Sequence, residues 1–316
     1  MLEKHFFGEK KENKEDFDLS NEVNLLEKDG DSRKRSYVLR LALESREYWH
    51  KFVGDDGKSY SPSIFRLFEN EGLLDKKEDR TRKHMAPEHI ITVMMGCEAL
   101  YDQFSEKITF LKNDKQSLIL AAALHDVNKD IEFRAVKLTQ KDEALGYGQA
   151  GYDLASDVSE QKLKFAGVPK EIIDLHNVVG HASCPKMEDI LKNNFAVEEI
   201  IKTLILHYVD DIVSNPNIID PAISLDENGN RLNALDRRCI QNEKNPNYLD
   251  YNLAWKKDKR NLTGETAFAM QRRVGHLVEK KIADILGIDD PLALPAVIYK
   301  QIQKNIQEHW DKNKKE

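Results

Sequence analysis

Apolar residues recur at helical spacing through most of the chain, and runs that alternate apolar with polar residues are almost absent. Pro87 and Pro291 each precede such a pattern, as expected of proline at the first position of a helix. The patterns predict helices beginning near Tyr37, at Pro87 and near Lys115, and further helices over residues 150–166, 170–181, 186–194, 196–214, 231–242, 264–286 and 291–312. Because the apolar residues do not repeat in heptads, a coiled coil is excluded and the sequence predicts an all-α bundle.

The same patterns divide the chain into four segments. Residues 1–35 mix charges of both signs with few apolar residues, which predicts a charged, poorly ordered arm. N-terminal helices over residues 36–84 lead into a helical core at residues 85–215. Residues 216–316 begin with an irregular stretch, interpreted as a lid, with a turn predicted at Asn228-Gly229-Asn230. This last segment ends in two long helices that are expected to pack on the core.

Composition and charge narrow the classes of function. The 316 residues include 48 Lys or Arg and 55 Asp or Glu, a formal net charge of −7, and this balance argues against nucleic acid as the partner. No run approaches the roughly 20 apolar residues of a membrane span, so no membrane partner is expected. The 3 scattered cysteines are typical of a reducing compartment, and a cytoplasmic location is expected. The final two helices are amphipathic enough to form a homo-oligomer.

The candidate chemistry centres on His125 and Asp126, which follow the apolar helical run that ends in Ala-Ala-Ala-Leu. An imidazole and a carboxylate at this position would lie beside the core, and burying them without partners would cost several kcal/mol. A metal ion would satisfy both groups. The sequence therefore predicts a metal site at the end of this helix.

Other predicted helices carry side chains that could complete such a site. These candidates are His89, His176, His181, His207, Asp210 and Asp211. His207 precedes Asp210 by three residues and Asp211 by four, so either carboxylate can share a helix face with it. Imidazole and carboxylate together suit Mn, Fe, Zn, Co or Ni better than Ca.

The arrangement resembles the HD superfamily of metal-dependent phosphohydrolases, whose pattern is a His, an adjacent His-Asp and a distant Asp, all on helices. The matching residues are His89 in PEHIITVMMG, His125 and Asp126 in LILAAALHDVNKD, and Asp210 in LILHYVDDIV. The resemblance covers roughly residues 85–215. It implies an HD-like helical bundle with additional N- and C-terminal helices.

The resemblance implies that His89, His125, Asp126 and Asp210 hold a divalent metal, which could be Mn, Fe, Zn, Co, Ni or Mg. Asp210 is assigned because Tyr-Val-Asp stands where the family usually has Tyr-Ala-Asp. Asp211 remains an alternative to Asp210, and His176 and His207 are further candidate ligands.

The resemblance also implies roles near the metal. The family often continues His-Asp-x-Gly-Lys, and here Asn replaces the Gly while Lys129 is kept. Lys129 would reach a substrate phosphate as a point charge, and Asp130 or His181 would serve in proton transfer. His181 also matches a position where two-metal members hold a further His. The pairs Arg237–Arg238 and Arg272–Arg273 could hold phosphate too, although such pairs are more typical of a solvated face.

The function that the resemblance implies is hydrolysis of a phosphate ester, most often a nucleotide or nucleotide-like small molecule, by metal-activated water. The Glu that (p)ppGpp hydrolases carry in the His-Asp motif is missing, which speaks against that activity. Two alternatives stay open at this point. One is a di-iron oxygenase, the activity of a minority of the family, and the other is a non-catalytic binding module that keeps the helical scaffold.

Overall fold

A computed structural model describes residues 87–109, 115–125, 168–176, 184–213, 224–244 and 264–315, together with helical residues at Tyr37, Arg40, Leu41, Glu160, Gln161, Leu163 and Lys164. The arm expected at residues 1–35 lies outside these described residues. So do most of the helices expected over 36–84 and 150–166 and much of the expected lid.

The all-α prediction is confirmed in the described part of the chain. The helices are α1 (Pro87–Lys107), α2 (Lys115–Leu124), α3 (Lys170–His176), α4 (Cys184–Lys192), α5 (Val197–Ile212), α6 (Ala234–Lys244), α7 (Ala267–Leu286) and α8 (Leu294–Asn313). Their bounds agree with the predicted ranges within three residues, and the last part of the range 170–181, after α3, lies outside the described residues. None of these helices is long and apolar enough to cross a membrane.

Helix α5 lies at the centre of the packing. It contacts α1 and α2 on one side and α6 and α7 on the other. Helix α1 also packs against α2 and α8, while α7 also packs against α4 and α6. Eleven residues of α5 are buried, and they include every position from Leu204 to Ile212. The end of α5 is therefore enclosed, and any polar side chain there must find its partners inside the protein.

Helix α2 is buried on every face along most of its length. All residues from Ser117 to Leu124 are buried, because α1 and α3 both pack against this helix. A helix that is apolar all round belongs in the core rather than at the surface. His125 follows directly at the end of α2 and is buried as well.

The start of α6 differs from the sequence prediction, which extended a helix from residue 231. Residues Arg231–Leu232 instead pair antiparallel with Ser224–Leu225 as a two-stranded hairpin (β2 with β1), and α6 begins at Ala234. Asn233 stops the helix from starting earlier, since its side chain accepts a hydrogen bond from the Asp236 backbone N–H at 3.0 Å. The Asp236 carboxylate accepts from the Asn233 backbone N–H at 3.1 Å in return, a reciprocal N-terminal cap.

The predicted turn at Asn228-Gly229-Asn230 connects the two strands. Gly229 has φ of 79°, a backbone conformation that glycine adopts without the strain a side chain would add. The Asp226 carboxylate accepts hydrogen bonds from the backbone N–H groups of Asn228 and Asn230, each at 2.8 Å. The turn is thus fixed by local side-chain contacts, as expected for Asp and Asn.

The C-terminal helices begin and end at sequence signals. The Thr266 hydroxyl caps α7 by accepting from the Ala269 N–H, and Gly287 ends it in the left-handed conformation. The expected Asp290-Pro291 entry is present, but it first forms a short 3₁₀ turn over Pro291–Ala293 before α8 begins. Such turns are common at helix N-termini.

Candidate metal centre

Three helices bring His89, His125 and Asp210 together. His89 lies in the first turn of α1, His125 follows the last residue of α2, and Asp210 lies in the last turn of α5. The three residues are 2%, 6% and 3% exposed, respectively. Their meeting follows from the packing of α1 against both α2 and α5.

The three ligand-type atoms of this group are nearly equidistant. The two Nε2 atoms of His89 and His125 lie 3.1 Å apart, and each lies 3.3 Å from Oδ1 of Asp210. Ligands about 2.0–2.1 Å from a metal ion lie about 2.8–3.0 Å from their neighbours in octahedral sites and about 3.3–3.4 Å apart in tetrahedral sites. The spacing therefore fits a metal ion, and the buried group could bind one.

The orientation of the His125 ring also favours metal binding. Its Nδ1 lies 2.7 Å from the backbone carbonyl oxygen of Ala122, which can only accept a hydrogen bond. Nδ1 therefore carries the proton, and in the neutral ring Nε2 presents a lone pair toward His89 and Asp210. A backbone carbonyl that fixes the tautomer in this way is a common support for a metal-ligating histidine.

The electrostatics of the group keep Asp210 ionised. Burial by itself would raise the pKa of this carboxyl. When the imidazoles are protonated, the charge and hydrogen bond of His125, the hydrogen bond of His89 and the charge of Arg238 outweigh burial and hold the pKa of Asp210 well below its usual range. The group thus offers one negative charge and two imidazole nitrogens, a combination suited to transition metals and zinc.

Asp211, the alternative to Asp210, faces a different set of side chains. Its Oδ2 lies 3.3 Å from Nε2 of His207, and its Oδ1 accepts a hydrogen bond from Nε2 of Gln271 at 2.5 Å. Nη1 of Arg238 lies 3.8 Å from the same Oδ1. Burial raises the pKa of Asp211, despite the opposing charges of His207 and Arg238. The structure therefore separates the His207–Asp211 pair from the group that contains Asp210.

The remaining site residues expected from the sequence cannot be placed in this geometry. Asp126, Lys129, Asp130 and His181 lie outside the described residues. The backbone of His176 ends α3, which packs against α2, but its side chain lies outside the described part. The roles given to these five residues stay predictions.

Sequence reasoning missed the position of Arg238. The pair Arg237–Arg238 was interpreted as typical of a solvated face, but Arg238 is only 6% exposed and donates from Nη1 to the backbone carbonyl of Asp210. The neighbours of Arg238 in the sequence indicate that it is buried. Leu235, three residues earlier, and Cys239, next in sequence, both lie on the buried face of α6. An arginine within such an apolar face indicates a buried acceptor on a neighbouring helix.

The other arginine pair is engaged with acids. Arg272 donates from Nε to Asp236 at 2.7 Å. Arg273 forms paired hydrogen bonds with Glu188 at 3.0 and 3.2 Å and with Glu265 at 3.1 and 3.2 Å. The interpretation of a partly solvated ion-pairing face suits this pair.

Comparison with known proteins adds no relative. No family model matches the chain, no curated protein matches it, and no solved structure matches it.

Proposed function

We propose that the protein is a metal-dependent phosphohydrolase. The observation that carries the proposal is the buried group of His89, His125 and Asp210, whose ligand atoms lie 3.1–3.3 Å apart. The group supports the pattern of the HD superfamily, because three of its four expected ligands come together from separate helices. The fourth, Asp126, adjoins His125 in sequence.

The residues of the proposed centre would each have a separate role in hydrolysis. A divalent ion, when bound, supplies a water nucleophile activated at neutral pH and polarises a phosphoryl oxygen. Asp210 contributes the negative charge that retains the ion, and the Ala122 carbonyl keeps His125 in the ligating tautomer. Lys129 would balance negative charge on the substrate phosphate. Asp130 or His181 would move the proton to the leaving group.

The proposed substrate is a phosphate ester, with nucleotides as the first class to test. This choice rests on the resemblance, in which nucleotide-like substrates are the commonest. The di-iron oxygenase reading would need His207 among the ligands of the same centre. No observation favours it, since His207 contacts Asp211 instead.

The first test is metal content, with Asp210→Asn as the decisive variant. We expect the wild-type protein, purified without chelator, to hold about one divalent ion per chain by elemental analysis, or two if a second ion binds nearby. Asp210→Asn keeps the size of the side chain and removes its charge, so we expect metal occupancy to fall at least about tenfold. Asp284→Asn is the matched control, because Asp284 is exposed on α7. Full occupancy in Asp210→Asn, or no metal in the wild type after Mn and Fe are supplied, would overturn the proposal.

The second test is activity. We expect phosphate or nucleotide release from at least one member of a panel of nucleoside mono-, di- and triphosphates, simple monoesters and diesters. The activity should disappear with chelator, return with metal, and fall at least about a hundredfold in Asp210→Asn. Two irons per chain together with oxygen consumption, and no hydrolysis, would support the oxygenase instead.

A further inference from the structure

Two adjacent carboxylates, Asp210 and Asp211, are buried in the last turn of α5, 3% and 2% exposed. Negative charge is disfavoured at this end of a helix, because the helix dipole is negative there. Two neighbouring buried carboxylates also repel each other. The fold must therefore supply positive charge or hydrogen-bond donors to both, and the two side chains obtain them from different neighbouring helices.

The hydrogen-bond donor and the positive charge that face Asp211 come from two helices that follow α5 in the chain. Gln271 on α7 is 1% exposed and donates to Oδ1 of Asp211 at 2.5 Å. Arg238 on α6 brings a guanidinium to 3.8 Å from the same oxygen. Gly275 lets α7 come this close, since a Cβ at this position would lie 3.3 Å from Oδ2 of Asp211.

Arg238 also reaches the other carboxylate residue through the backbone. Its Nη1 donates to the carbonyl oxygen of Asp210. This carbonyl lies in the last turn of α5, where backbone oxygens lack donors within the helix. One guanidinium thus hydrogen-bonds the backbone of Asp210 and places its positive charge near the carboxylate of Asp211.

We propose that Arg238, with Gln271, is a positioning residue for the metal site. It fixes the end of α5 so that Asp210 presents Oδ1 to His89 and His125, while Asp211 anchors the end of α5 to α6 and α7. The inference rests on the proposed metal-dependent function. A guanidinium suits this task better than an ammonium, because its planar geometry fixes the direction of the Nη1 hydrogen bond to the Asp210 carbonyl while its positive charge stays near Asp211.

The test compares metal binding in Arg238→Met, Arg238→Lys and wild type, with Arg273→Met as the matched control. Arg238→Met keeps apolar volume and removes charge and donors. We expect its Co²⁺ affinity to fall about 10- to 100-fold and the visible absorption bands of bound Co²⁺ to shift, as when supports behind metal ligands are removed. Arg238→Lys should recover part of the affinity. Arg273→Met removes a partly exposed ion-pairing arginine from α7 and should leave both readouts unchanged.

A second pair of variants keeps the inference open to test if Arg238→Met does not fold by circular dichroism. Gln271→Met removes the hydrogen-bond donor to Asp211, and we expect about a 3- to 10-fold loss of Co²⁺ affinity. Asp211→Asn should lose less affinity than Asp210→Asn, because it removes the anchor and not a ligand. An equal or greater loss in Asp211→Asn would overturn the assignment of Asp211 as anchor.

The outcomes separate this inference from the proposed function. Wild-type protein that binds no Co²⁺, Mn²⁺ or Fe²⁺ would overturn both. Wild-type binding, with folded Arg238→Met and Gln271→Met that bind Co²⁺ as tightly and with the same spectrum, would overturn the positioning role alone.

Discussion

Asp210 and Asp211 are neighbours in sequence with different surroundings. Successive side chains leave an α-helix about 100° apart, so the two carboxylates point toward different helices. Asp210 faces the imidazoles from α1 and α2, which hold its pKa low. Asp211 faces Gln271 and Arg238, and burial raises its pKa. A single step along the helix therefore separates a candidate ligand from a supporting residue.

The partly exposed side chain of His276 bridges two buried carboxylates, those of Asp236 and Glu279. Its Nε2 lies 2.6 Å from Oδ1 of Asp236 on α6, and its Nδ1 lies 3.1 Å from Oε1 of Glu279 on α7. Arg272 shares Asp236, and Tyr208 donates to Glu279 from α5. Burial lowers the pKa of His276, but the two carboxylates raise it from 6.5 to about 9. Both ring nitrogens therefore donate at neutral pH.

This geometry predicts a loss of stability at alkaline pH. Because the pKa of His276 is higher in the folded state, its contribution is fully present below about pH 6 and is lost as the pH rises through about 9. Thermal unfolding of the wild type should show a falling melting temperature across that window. In His276→Gln the fall should be smaller, since glutamine does not titrate. Lys280→Gln, an exposed change on the same helix, is the control, and an identical pH profile in wild type and His276→Gln would contradict the prediction.

At the scale of elements, the approach of α7 to α5 and α6 depends on Gly275. A Cβ at this position would lie 2.5 Å from Cδ2 of Leu235 on α6, which is less than a normal contact. Leu235 is fully buried, so it would have to shift within the core to accept a side chain at Gly275. The absence of a side chain at Gly275 thus sets the spacing of the three helices behind the candidate metal centre.

Gly275→Ala tests this spacing. Alanine favours the helix by about 0.5–1 kcal/mol, while overpacking a tight core costs about 1–3 kcal/mol. We expect a net destabilisation of about 1–2 kcal/mol, measured by chemical denaturation. Leu235→Ala removes the opposing methyl groups, so the double variant should be destabilised less than the sum of the single variants. Additive losses, or a more stable Gly275→Ala, would show that the contact is not limiting.

At the scale of the whole molecule, α1 and α8 join parts of the chain about two hundred residues apart. The Asn305 side chain on α8 donates to Oδ2 of Asp102 on α1 at 2.9 Å and accepts from Gln301 at 2.8 Å. Lys115 at the start of α2 bridges Asp102 and Glu98 at 3.1 and 3.2 Å. This polar network fixes the register of α8 on the core, where apolar contacts alone are not directional.

Asn305→Ala should weaken this docking. The change removes one hydrogen bond each from the buried Gln301 amide and the partly buried Asp102 carboxylate, and we expect a loss of about 1–2 kcal/mol in the free energy of unfolding. Asn313→Ala, near the exposed end of the same helix, should change it by less than about 0.5 kcal/mol. Equal effects of the two substitutions would show that the network adds nothing to the docking of α8.

Much of the fold follows from local sequence. Helix periodicity, the proline entries at Pro87 and Pro291 and the predicted turn around Gly229 all correspond to structure, because each depends on interactions within a few residues. The start of α6 was predicted too early, since Arg231 and Leu232 pair with a strand that periodicity does not reveal.

The candidate site likewise combines residues that the sequence indicates with contacts that only the tertiary structure shows. His125 stood out because it ends an apolar helical run, where burial demands a partner, and Asp210 was assigned through the resemblance to the HD pattern. The sequence left Asp211 as an alternative and placed Arg238 on a solvated face. Only the packing of α6 and α7 against α5 gives the two carboxylates different partners and buries Arg238 beside them. Periodicity reports which residues turn inward, but the identity of their partners depends on contacts between helices far apart in the chain.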